Sequence, residues 1–192
     1  MRFELILIEP LKLIDMVKLI KFSFVIMLFA CGTVIAGQKS DSKKADRKLK
    51  KVEAFEEMVE LVKNKPIEFV AERAYPSGYR NVDLFSNPNH LRIDNDNADI
   101  AMPYFGRAYQ VTPGERGGFY TESEIEDMKL EVNEKKRKVK MDFVLRNKND
   151  LYTCSLEVFG SGSATLSIIS NNRNSISYNG SVSEWIEDGK EE

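Results

Sequence analysis

From Pro66 onward apolar side chains recur at every second position, and that period of two restricts the fold more than any other feature. Leu91 and Ile93 alternate with His90, Arg92 and Asp94, and the turn residues 94–97 lead to Ala98, Ile100, Met102 and Tyr104, set against Asp99 and Ala101. Met128, Leu130 and Val132 alternate with Asp127, Lys129 and Glu131, and the charged turn NEKKRK hands over to Val139, Met141, Phe143 and Leu145. Tyr152 to Val158 follow a polar turn at Asn147 to Asp150, Gly160-Ser161-Gly162 link them to Ala164, Leu166 and Ile168, and SNNRN leads to Ile176, Tyr178 and Val182. The run IEFVAERAY supplies a first strand and Asn81 to Leu84 a short second one. Such alternation describes strands with one dry and one wet face, and links this short are hairpin loops without room for crossover helices. The expected fold is mainly β: an antiparallel meander of about eight or nine strands forming a small barrel or a β-sandwich, which periodicity does not separate.

One element breaks the pattern. Val52, Phe55, Met58, Val59 and Val62 recur at three- and four-residue steps, which predicts an N-terminal amphipathic helix packed against the sheet. Asn64, Lys65 and Pro66 end it, because Pro66 has no N–H to donate and restricts its predecessor. Residues 51–186 thus read as a single antiparallel β domain, 187–192 as a polar tail and 37–50 as a polar, lysine-rich tether whose second half already belongs to the helix.

Residues 1–36 read as a signal peptide, with Lys18 and Lys21 before the apolar run FSFVIMLFACGTVIAG. Glu4, Glu9 and Asp15 are unusual before such a run, so a start at Met16 is an alternative. Two exits compete: cleavage after Val34-Ile35-Ala36, or a lipobox-like Leu28-Phe29-Ala30-Cys31 that would lipidate Cys31 and attach the protein to a membrane. Either places the protein outside the cytoplasm, in the periplasm or associated with the outer membrane. Neither leaves a partner for Cys154, which on its strand face with Tyr152, Leu156 and Val158 reads as a buried thiol.

Composition argues against several chemistries. Residues 1–36 hold four of the 28 basic and three of the 30 acidic residues, leaving 24 against 27 in the remainder. A field that weakly acidic gives no reason to expect nucleic acid, and the basic clusters at 43–51 and 135–140 are short. The sole histidine, His90, lies on the polar parity of its strand, so no Ser–His–Asp or Cys–His arrangement can be built. One His and one mature Cys make a poor zinc set. The acidic turn at Asp94, Asp96 and Asp99 departs from the calcium-loop pattern, with Asp99 where a Gly is needed and Phe105 in place of the closing Glu. Glu122, Glu124, Glu126 and Asp127, read as a loop, are too close in sequence to flank a sugar. No catalytic residue, metal site or cofactor is expected, and hydrolase is a reading of low weight.

The stretch MPYFGRAY, residues 102–109, is the most distinctive in the chain. Pro103 removes a ladder donor, Gly106 allows close backbone approach, and Phe105, Arg107 and Tyr109 present an aromatic surface with a guanidinium beside it. It reads chiefly as a turn that returns a strand to its sheet. Tyr104, Phe105, Arg107, Tyr109, Phe119 and Tyr120 are nonetheless the candidate ligand contacts: Phe105, Tyr109, Phe119 and Tyr120 gather around one loop region, and a cavity beside Tyr104, Arg107 and Tyr109 would favour ligand contact.

Phe69, Ala74-Tyr75-Pro76, Pro103 to Tyr109, Gly162 to Ile168, and Arg173 with Ile176 to Gly180 together resemble the Bacteroidetes family of small exported proteins known as domain of unknown function 4251. The likeness covers residues 50–186. It implies a mostly antiparallel sheet, strengthens the lipoprotein reading of Cys31 and carries no activity to transfer. Two classes of function follow. One is a non-enzymatic cell-envelope module binding a small apolar or glycan-like ligand, narrowly preferred; the other is a structural or protein-interaction component of the envelope. A cavity of several hundred cubic ångströms inside a closed barrel would favour the first, an exposed apolar patch or a paired edge strand the second.

Overall fold

The computed structural model describes residues 35–110, 117–148 and 150–186, with side chains from 44 onward, so the signal segment before Ile35, Cys31 and Met16 lie outside the described residues. The chain divides into two compact units, Met1–Lys48 and Leu49–Glu192. Described backbone in the first unit is helical, as the start of α1 (Ile35–Asn64). Residues 37–50, read as a tether, are therefore helical backbone. The helix was expected only for the second half of that stretch; the first half carries no apolar stripe that periodicity could show, although Lys and Gln are good helix formers.

In the second unit, β1 (Ile67–Pro76), β3 (His90–Asp94), β4 (Asn97–Pro103), β5 (Gly118–Asn133), β6 (Lys138–Arg146), β7 (Leu151–Phe159), β8 (Ser163–Ser170) and β9 (Ile176–Glu184) follow one another as an antiparallel meander. Closure comes from β1 pairing with β9, in register from Ile67↔Glu184 to Pro76↔Ile176 with a bulge between Ala71 and Arg73. The result is an eight-stranded antiparallel barrel. A ninth strand, the two-residue β2 (Val82–Asp83), pairs with β1 where β3 has ended. The sandwich alternative is thereby removed.

Inward positions follow the two-residue period. Phe69, Phe119, Phe143, Tyr152 and Tyr178 fill the interior with Leu91, Ile100, Met102, Leu145, Leu156, Leu166 and Ile168, all at 2% exposure or less. Eight strands enclose about the width such side chains occupy, so this interior is a packed core. Gly180 lets β9 approach β1 at the bulge, since a Cβ there would stand 2.0 Å from the Val70 carbonyl oxygen.

One strand is longer than expected. Gly118 to Asp127, read as loop, is the first part of the 16-residue β5. Its inward positions, Thr121, Ser123 and Ile125, offer little apolar contrast with Glu122, Glu124 and Glu126, so the alternation is faint. Asp127, at φ 54°, lies within the register shift between Glu126 and Lys129, beyond which β5 runs on beside β6 alone.

Within Leu49–Asn64, α1 lays Phe55 and Val62 against the barrel end formed by the starts of β1 and the β7–β8 turn, with Met58, Val59 and Leu61 partly covered. Gly160 in that turn admits the helix, because a Cβ there would lie 2.9 Å from the Cβ of Phe55. The sheet thus meets a helix that has a single apolar stripe to bury.

Candidate functional site

The barrel has two ends, and chain segments close each in a different way. At the end opposite α1, the segment after β4 folds over the mouth. Tyr104 Oη donates to the carbonyls of Arg107 at 2.8 Å and Asn174 at 3.1 Å, and Asn174 N donates back to Arg107 O at 3.0 Å. Tyr109 N donates to Asn172 O at 2.8 Å, and its hydroxyl meets Asn174 Oδ1. Beneath this cover Arg173, 9% exposed, places its guanidinium 5.5 Å from the Tyr104 ring centre and 5.3 Å from that of Phe119, and donates to the Gly118 carbonyl. Phe119 stands edge-on to Tyr104 at 5.4 Å and to Tyr152 at 5.0 Å.

The six residues singled out from sequence therefore gather at one end but divide by depth. Phe119 is fully buried; Tyr104 and Phe105 are half-buried against the core; Arg107, Tyr109 and Tyr120 face solvent, with the Arg107 guanidinium 6.0 Å from the Tyr109 ring centre. Burial raises the Tyr104 hydroxyl, against the lowering effects of a backbone hydrogen bond with Asn174 and of the Arg173 charge. The key residue is Arg173, which the sequence placed in a polar turn and among the family-like residues but not among the candidate contacts; its cationic head is held by ring faces and a backbone carbonyl.

Other candidate chemistry is absorbed by structure. Cys154 is 0% exposed and burial pushes its thiol up to about 12, which removes the thiolate needed for reaction. His90 Nε2 lies 2.8 Å from Asp99 Oδ2 across the β3–β4 pair. Among the described residues no three His, Cys, Asp or Glu side chains are placed to hold a metal ion.

At the helix end the surface is different. Between α1 and the β5–β6 hairpin runs a trench of about 680 Å³ lined by Val52, Phe55, Val59 and Val132, with Glu56, Lys63, Glu134, Lys135 and Arg137 on its rim. A second hollow of about 430 Å³ continues from Val62 and Lys63 past Met128 and Leu130. Met128, Leu130 and Val132 are exposed by 39, 36 and 38%, although they occupy the inward parity of β5. The cause is strand length: β4 pairs with β5 only as far as Asn97↔Glu124, and the last bond on that side is Ile125 N to Asp96 O at 2.7 Å. Among the described residues no strand pairs with β5 on this side beyond Ile125. The apolar parity of Met128 to Val132 was legible in the sequence, but the missing neighbour required the paired lengths of both strands.

A closed up-and-down barrel, its core filled and both mouths covered by its own chain, defines the class of protein to which this molecule belongs. A family model described as Domain of unknown function (DUF4251) matches residues 49–182, and the chain belongs to that family, a Bacteroidetes family of exported proteins of unknown function. Among solved structures it is similar to a DUF4251 family protein from Bacteroides eggerthii, with TM-score 0.54 and 18% identity, covering 71% of this chain and 91% of that one. No curated protein matches it.

Proposed function

We propose that this protein is a non-enzymatic envelope module that acts by protein contact through the helix-bearing end of its barrel. The observation that carries the reading is the half-exposed apolar row Met128, Leu130 and Val132 on a strand whose outer edge lacks a neighbour among the described residues. Unpaired strand edges beside apolar surface are templates for another chain, which supplies main-chain hydrogen bonds and side chains together. The filled interior argues against a ligand held within the barrel, as lipocalin-like barrels hold theirs. A photo-crosslinking residue at Val132, in protein expressed in the envelope, is expected to give protein adducts. The same residue at Ile169, an equally apolar and 60% exposed site on β8, is expected to give none. Equal yields at the two positions, or none at either, would end this reading.

A second reading has its own support. The 680 Å³ trench with apolar floor and mixed-charge rim has a size suited to one small amphiphilic molecule. Native mass spectrometry of protein purified from its own envelope reads such a passenger as a fixed added mass.

A further inference from the structure

We propose that the occupant of the open β5 edge is a second copy of this chain, paired antiparallel about a two-fold axis through Leu130. The inference rests on the contact reading above and adds the identity of the partner. Three observations meet at this segment: an edge without a neighbouring strand among the described residues from Met128 onward, an apolar row facing the trench, and alternating charges on the outer face.

The charges select the register. Centring the pair on Leu130 sets Lys129 opposite the second copy's Glu131 and Glu131 opposite its Lys129, while Leu130 faces its own counterpart and Met128 faces Val132 on the inner side. Centring on Lys129 or on Glu131 would place like charges face to face, which is unfavourable across strands. A shift by a single residue would set charged side chains against apolar ones. Only the Leu130-centred register satisfies both faces.

The neighbouring strand extends the match. Within one chain Lys129 pairs with Asp142, Glu131 with Lys140, and Lys140 with Glu157. Joined through the proposed axis, the outer row reads Glu157, Lys140, Glu131, then Lys129 and Asp142 of the second copy, with the sign changing at every step. An isologous contact of this kind closes on itself as a dimer, because each copy's β5 edge is used by the other. The contact is narrow, so the association belongs with weak, concentration-dependent ones.

The test is made in the envelope with the full chain carrying Leu130→Cys and a short thiol-to-thiol crosslinker. The two-fold axis puts both thiols side by side, so a covalent dimer is expected at Leu130→Cys and far less at Val132→Cys, whose symmetry mate is displaced. Adding Lys129→Glu or Glu131→Lys should each cut the dimer yield about tenfold, since one substitution makes two repulsive pairs. Co-expressing the Lys129→Glu chain with the Glu131→Lys chain should restore it, because the mixed pair has opposite charges at both positions; that rescue also excludes misfolding as the cause of the loss. Absence of a Leu130→Cys dimer, or a dimer indifferent to the charge reversals, overturns the proposal. If photo-adducts at Val132 then persist with a partner of different mass, the contact reading survives while the self-pairing fails; if they vanish as well, both fail.

Discussion

Arg173 does at the loop end what a large apolar residue would do in a simpler plug, and it adds direction. Its stem and guanidinium lie beside Tyr104 and Phe119, and its donor reaches the Gly118 carbonyl at the start of β5. Burying a cation this way costs desolvation, which ring faces and a carbonyl offset in part. Substitution by Met keeps volume and removes the donor, leaving a buried carbonyl without it. We expect Arg173→Met to lower unfolding stability by about 2 kcal/mol, and Arg107→Met, at an exposed site, to lower it by about 0.5 kcal/mol or less. Urea midpoints of the two variants measure the contrast, and equal midpoints would contradict it. Sequence alone placed Arg173 in a polar turn, because what holds it is 55 residues away at Gly118.

At the scale of elements, legibility followed contrast between the two faces. Strands β6 and β7 were readable because Val139, Met141, Phe143 and Leu145, or Tyr152, Cys154, Leu156 and Val158, stand against neighbours that are mostly charged or small and polar, such as Lys140, Asp142, Thr153, Ser155 and Glu157. The first half of β5 was not, since Thr121 and Ser123 turn inward where an apolar residue would have marked the strand. Closure was also hidden: no local pattern reveals that Ile67 to Pro76 will pair with Ile176 to Glu184. The joint itself has a weak point at Gly180, where the neighbouring strand lies too close for any side chain. Gly180→Ala is expected to cost about 3 kcal/mol, as overpacking does, with the loss seen first as faster amide exchange in β1 and β9. Unchanged protection in those two strands would mean that the bulge at Ala71 and Arg73 absorbs the methyl group.

For the molecule as a whole, the described barrel strands from β3 to β9 each pair with the next in sequence and β1 pairs with β3 across the short β2, so most of the barrel can be assembled from local contacts. The long-range joint is the seam between β1 and β9, from Pro76↔Ile176 to Ile67↔Glu184, which carries a corresponding loop-closure cost. A chain delivered to the envelope from its N-terminus offers β1 first and β9 last, so the first strand must wait for the last before its outer edge is covered. A chain ending before Ile176 is expected to aggregate rather than fold, as judged by light scattering; a soluble, protease-resistant product would show that the seam is dispensable. Completion of synthesis thus becomes a condition for a finished surface, and an interrupted chain announces itself to the quality-control machinery by an uncovered first strand.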